Sequence, residues 1–175
     1  MVPNKWQTLV FVDHIADHLV KLSVAMPTGT RFVHRESSKK RVGAFALTAR
    51  EQRKVVDEFC ENKFQYLIAT DAFRAGVDIP NCRVVVQAAG GSSEVEILQE
   101  AFRGSRTLPK ERQEELGVDE KTHFVLIDIM DKHDDKLENM SHKRMDIYKK
   151  QGWRIKRVKS PAEINWFDFG AKKGL

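Results

Sequence analysis

Ile68-Ala-Thr-Asp-Ala-Phe-Arg-Ala-Gly-Val-Asp-Ile-Pro80 is the stretch that decides how the chain folds. It starts inside residues 66–70 (YLIAT), a short apolar run of the kind that forms a buried strand. The strand is expected to end at Thr70, so its hydroxyl and the N–H groups that follow face a sheet edge. A hydroxyl with backbone donors beside it suits a phosphate oxygen. Gly76 allows close backbone approach or positive φ, and Asp78 offers an acceptor for a sugar hydroxyl. The same residues also suit an ordinary strand-to-loop turn, with Asp and Gly as turn formers. Alone, the stretch leaves both readings open.

Outward from it, apolar runs alternate with helical periodicity. Residues 8–12 (TLVFV), 31–34 (RFVH), 83–87 (RVVVQ) and 123–128 (HFVLID) read as further strands. Residues 14–25 place Ile15, Leu19 and Leu22 on one helical face. Thr48-Ala-Arg-Glu51 is a capping box opening a helix to about Asn62 that buries Val55, Val56 and Phe59. Residues 94–103 read as a helix with Val95, Leu98 and Phe102 on one side. Residues 107–121, with Pro109 and Gly117, read as an exposed helical excursion. Ser141 is expected to cap a helix ending near Gly152, and 153–158 (WRIKRV) to form an edge strand. Strands alternating with helices predict an α/β fold: a mostly parallel sheet with helices on both faces and right-handed crossovers. Residues 1–160 are expected to form one lobe, and 161–175 a tail. Ligands of such sheets sit beyond the carboxyl ends of the strands, so the residues after YLIAT and RVVVQ are where chemistry is expected.

The 175 residues are 41% apolar and 31% charged, which excludes a disordered chain. No run nears the ~18 apolar residues of a membrane span, and no leader peptide is visible. Cys60 and Cys82 are too few for a disulfide framework or a four-ligand zinc site. Together these predict a cytoplasmic protein with reduced cysteines and no membrane partner. The net charge of +5 permits a polyanionic partner without demanding one.

A second segment, Gln99-Glu-Ala-Phe-Arg103-Gly-Ser-Arg106, closes the predicted helix at 94–103. Two arginines three apart on one face can clamp a transferring phosphoryl group. Gln99 lies on the same side. A solvated basic helix end is the ordinary alternative.

The order FVDH, then LIATDAFRAGVDIPN, then QEAFRGSR resembles the second, C-terminal RecA-like lobe of superfamily 2 helicases and translocases. FVDH is similar to motif IV, TDAFRAGVD to motif V and QEAFRGSR to motif VI, across roughly residues 5–158. Phe102 departs from the pattern, which usually has Gly before the first arginine. The closing HDD…SHKRMDIYKKQGW resembles the DEAD/DEAH-type helicases of the phage UvsW and XPB-like branch. The resemblance implies that Arg103 and Arg106 are arginine fingers reaching a γ-phosphate, with Gln99 lining the cleft. Gly76 and Asp78 would contact the ATP ribose region, and Thr70 and His14 nucleic-acid phosphates. It implies ATP and Mg²⁺ as cofactors, an N-terminal RecA-like lobe as partner, and DNA, or else RNA, as the track.

The chain carries no G-x-x-x-x-G-K-[ST] loop and no Asp-Glu-x-His/Asp metal motif. ATP and Mg²⁺ are therefore expected to be bound mainly by an upstream lobe, and this chain alone is expected to be inactive. A non-enzymatic nucleic-acid-binding module on the same fold is the alternative. A metal nuclease built on His14 and His18, or on Asp131–Asp135, is the third class; solvated turns and loops explain those residues more simply, and no metal site is expected. Residues 142–159 carry eight Lys or Arg against one Asp, with Tyr148 and Trp153 interleaved. They read either as a nucleic-acid track with stacking aromatics or as a solvated helix and edge strand. Trp6 and Trp166 read as packing residues.

Overall fold

The computed structural model describes residues 2–3, 6–14, 18–34, 46–70, 79–91 and 93–167. Five strands make one parallel sheet: β1 (Gln7–Phe11), β2 (Arg31–Val33), β3 (Tyr66–Ala69), β4 (Cys82–Gln87) and β5 (Val125–Asp128), in the order β2-β3-β1-β4-β5. β1 is central, with Leu9 opposite Leu67 on one side and Val85 on the other. The helices are α1 (Val20–Ala25), α2 (Ala49–Cys60), α3 (Glu94–Ala101), α4 (Lys110–Leu116) and α5 (Asp135–Lys150).

The three central strands, β3, β1 and β4, are almost wholly buried because both faces of the sheet are covered. Leu9, Phe11, Leu67 and Val85 pack against Val55 and Phe59 of α2. Leu126 of β5 extends that face towards Ile97 of α3 and Ile147 of α5. On the opposite face Val10, Val12 and Ile68 meet Leu19, Leu22 and Met26 beside α1. Trp6, Val84 and Val125 continue it and receive Trp166, whose ring lies edge-on to Trp6. Gln7 is fully buried and donates from Nε2 to the Phe59 carbonyl, tying the end of α2 to β1. No helix among the described residues is long and apolar enough to cross a membrane.

The capping box is present: Glu51 N–H donates to Thr48 Oγ1 at 3.2 Å, and Thr48 N–H donates to Glu51 Oε2 at 2.7 Å. Helix α4 fills the excursion between Pro109, its N-cap, and Gly117, which takes left-handed φ of 60° at its C-cap. No residue of α4 is buried.

Several local expectations are corrected. The helix expected at 14–25 is α-helical only from Val20; Leu19 N–H reaches the His14 carbonyl, a wide five-residue turn, and Ile15 lies outside the described residues. The inner side of α3 is Ile97, Glu100 and Ala101, with Leu98 packed beside them as expected but Val95 exposed, because Ile97 faces Ile147 and Tyr148 of α5. Asp134, not Ser141, caps α5: its Oδ1 accepts from Lys136 and Leu137 N–H at 2.8 and 3.2 Å. Asp is as good a cap as Ser, and Asp135 and Glu138 in the first turn suit the helix dipole. Ser141 is buried mid-helix and donates to the Leu137 carbonyl. Residues 153–158 form no strand. The chain turns at Gly152 (φ 69°), and Trp153 stacks on Tyr148, ring centroids 5.5 Å apart, which holds it on α5 rather than at the sheet edge.

Candidate functional site

Helix α3 tightens after Ala101 into a 3₁₀ turn, Phe102–Gly104. Gly104 is the cause of the close seating there. A Cβ on it would lie 2.6 Å from Phe124 Cδ2 and 3.1 Å from Val85 Cγ2. Gly104→Ala must therefore displace a ring or the turn and is expected to cost about 1–3 kcal/mol. Urea denaturation checks this, and a cost below about 0.5 kcal/mol would mean that Phe124 yields freely.

The turn changes how the two arginines are presented. Arg103 lies within it, half-buried, whereas Arg106 stands past the helix end and is exposed. They do not share a helix face as expected. Gln99 is exposed one turn before Arg103. Phe102 is 43% exposed and lies edge-on to Trp153, so its bulk is taken up outside the sheet packing.

Lys121 carries no motif and was not singled out by the sequence. It is 8% exposed, and its Nζ donates to the Arg106 carbonyl at 2.5 Å and to the Pro80 carbonyl at 3.3 Å. It thereby ties the segment after α3 to the entry of β4. Only the long-range fold brings these groups together, so no local signal could have found it. Nearby, buried Arg83 donates to the Asp119 carbonyl and lies over the Trp6 ring. Burial pushes the Lys121 amine down to about 8 and the Cys82 thiol up to about 11.

Pro80 and Arg106 therefore meet at the amino edge of β4. Thr70 and His14 lie at the opposite, carboxyl edge. There Thr70 is buried and its N–H donates to the Val33 carbonyl, while His14 is exposed. Asp13 Oδ2 accepts from Gly90 N–H, joining the ends of β1 and β4. β4 is six residues long, so the two edges stand roughly 20 Å apart at ~3.3 Å per residue. The residues singled out in the sequence thus divide: Thr70 and His14 on one edge, Arg103 and Arg106 towards the other. Gly76 and Asp78 lie outside the described residues.

His14 and His18 lie with rings 5.4 Å apart, but no group of three or more His, Cys, Asp or Glu side chains suited to a metal occurs among the described residues. Asp131 Oδ1 accepts from His133 N–H, and Asp134 caps α5. Arg103 and Arg106 bring two guanidiniums towards the amino edge, permanently charged forks that suit phosphate oxygens.

Residues 2–107 match the family model of the helicase conserved C-terminal domain. The chain belongs to that family. The match ends one residue past Arg106, so the arginine turn closes the shared part of this helicase domain.

Solved structures share its fold. The C-terminal domain of the DEAD-box protein Dbp5 is similar with a TM-score of 0.55 and 18% identity, over 84% of this chain and 71% of that one. S. cerevisiae Dbp5 bound to RNA and ADP BeF3 has a TM-score of 0.54 and 18% identity, over 83% and 32%. The C-terminal part of the Fun30 ATPase domain has a TM-score of 0.54 and 15% identity, over 82% and 42%. The helicase domain spans less than half of each of these last two chains. No curated protein matches it in sequence.

The buried Lys121 gives the helicase domain a signature in its pH-dependent stability. Unfolded, its amine stays protonated to about pH 10.4; folded, it loses the proton near 8. Between those values the unfolded chain holds the extra proton, so stability rises with pH. Relative to Lys121→Met, the native domain should gain roughly 2–3 kcal/mol from pH 8 to 10.5. Parallel pH profiles of the two chains would refute this burial.

Proposed function

We propose that the chain is the C-terminal motor lobe of an ATP-dependent DNA helicase or translocase, completed by an N-terminal RecA-like lobe. The observation that carries the reading is the placement of Arg103 and Arg106 at the end of α3. Gly104 and Lys121 fix the backbone there, and Arg106, just past the turn, is exposed. ATP and Mg²⁺, held mainly by the other lobe, supply a phosphoryl group whose transfer spreads negative charge over its oxygens. Arg106 and Arg103 neutralise that charge when the lobes close, and Gln99 lines the cleft beside them. Asp78 and Gly76 bind at the ribose, in the segment that leads into Pro80.

At the far edge Thr70 and His14 hold phosphates of the nucleic-acid track. Separation of the two edges keeps Thr70 and His14 clear of the nucleotide. DNA is the proposed track; RNA is bound in the Dbp5 structure. The UvsW and XPB-like branch rests on the closing segment, in which Asp134 caps α5 and Arg144 is buried. ATP turnover by the intact two-lobed protein, with each arginine replaced in turn, tests the assignment. Unchanged turnover in both variants would leave a nucleic-acid-binding module without motor chemistry.

A further inference from the structure

Helix α5 ends in a run of cations that the family match does not reach. Lys149, Lys150, Arg154, Lys156, Arg157 and Lys159 are all exposed, and no acidic residue occurs from 147 to 162. Lys149 pairs with Asp146 at 2.8 Å, and Arg157 Nη2 donates to Met145 Sδ at 3.3 Å. Residues 153–158 join no helix and no strand among the described residues. The segment is nevertheless anchored at its start. Trp153 stacks on Tyr148 and stands edge-on to Phe124 and to Phe102, the neighbour of Arg103.

We infer that residues 154–159 form a second nucleic-acid contact, a sequence-independent cradle for the phosphodiester backbone fixed beside the arginine turn. The occupant follows from charge: four cations stand within six residues, with Glu163 Oε2 accepting from Lys159 N–H at the end of the segment, and such a run suits a repeating anion. The aromatics do not stack on bases. Tyr148 is buried with its hydroxyl on Asp128 at 2.6 Å, and Trp153 is packed among aromatic rings. Recognition is therefore electrostatic, which corrects the stacking-track reading of 142–159. The inference rests on the nucleic-acid reading above but places its site apart from Thr70 and His14.

The test is binding of a fluorescent oligo(dT) of about 20 nucleotides, longer than ordinary single-strand sites, to the 175-residue chain across a salt series. The variant replaces Arg154, Lys156, Arg157 and Lys159 with Gln. Each lost phosphate contact should reduce the salt slope by about 0.7. Four contacts make a fourfold rise in salt cost the native chain an extra ~50-fold in affinity over the variant. Arg154→Lys with Arg157→Lys should retain binding, since charge alone is used. Equal slopes for native and quadruple variant would overturn the inference while leaving the motor-lobe reading intact. No binding by the native chain would overturn both. If the substitutions instead release the chain from phosphatidylserine vesicles while its DNA affinity is unmoved, the partner is a membrane surface and the inference fails.

Discussion

Arg106→Ala in the intact two-lobed protein should lower ATP turnover by about a thousandfold or more, the scale of a lost arginine finger. Arg106 lies beyond the 3₁₀ turn with an exposed side chain, and Lys121 Nζ holds its backbone carbonyl. Alanine keeps that carbonyl, so thermal stability should hold while turnover collapses. Arg106→Lys keeps the charge but not the planar fork, and should recover only part of the rate. Nucleic-acid affinity, proposed to rest on Thr70, His14 and residues 154–159, should be unmoved. Turnover within about threefold of native in a correctly folded Arg106→Ala protein would exclude it from the transition state.

Arg144→Met should destabilise the chain by about 3–5 kcal/mol, the cost of leaving a buried ion without its partner. Arg144 is 4% exposed and makes paired bonds to Asp128, Nε to Oδ2 and Nη2 to Oδ1, both at 2.8 Å. It also donates to the Gly91 and Ile129 carbonyls and to Ser141 Oγ. Its loss leaves the Asp128 carboxylate with the Tyr148 hydroxyl as its remaining hydrogen-bond donor shown here. Burial and the Asp128 charge push that phenol up, so it stays a donor at any working pH. Arg144→Met with Asp128→Leu removes both charges and should recover most of the loss, since an apolar pair often replaces a buried ion pair at little cost. Urea denaturation of the two singles and the double gives the coupling. A single-variant cost under about 1 kcal/mol would mean that the pair is hydrated, contrary to its geometry.

What could be read from the sequence divides along physical lines. Signals complete within a few residues were legible: the Thr48–Glu51 box, the doubly buried strands, and Pro109 and Gly117 bracketing α4. Motif spacing pointed to the family, because QEAFRGSR carries its chemistry locally. Signals that need two distant segments were not legible. Lys121 reads as one more cation in a polar linker until the fold sets Pro80 and Arg106 against it. Arg144 reads as part of a basic run until β5 brings Asp128 to it. The expected edge strand failed for the same reason, since the partner of Trp153 is a ring on α5 and not a neighbouring strand. The placement of chemistry at the carboxyl edge came from a general rule about parallel sheets. Thr70 and His14 do lie at that edge, whereas α3 carries Arg103 and Arg106 back across the sheet.

Helix α5, sixteen residues and so about 24 Å long, touches both edges. Near its middle Arg144 grips Asp128, the last residue of β5, and Gly91 beyond the end of β4, and just past its end Trp153 bears on Phe102. It is a strut pinned at two points. A strut so pinned resists shear between the edges, so a push delivered at the arginines reaches the opposite rim as displacement of the whole block, not as deformation within it.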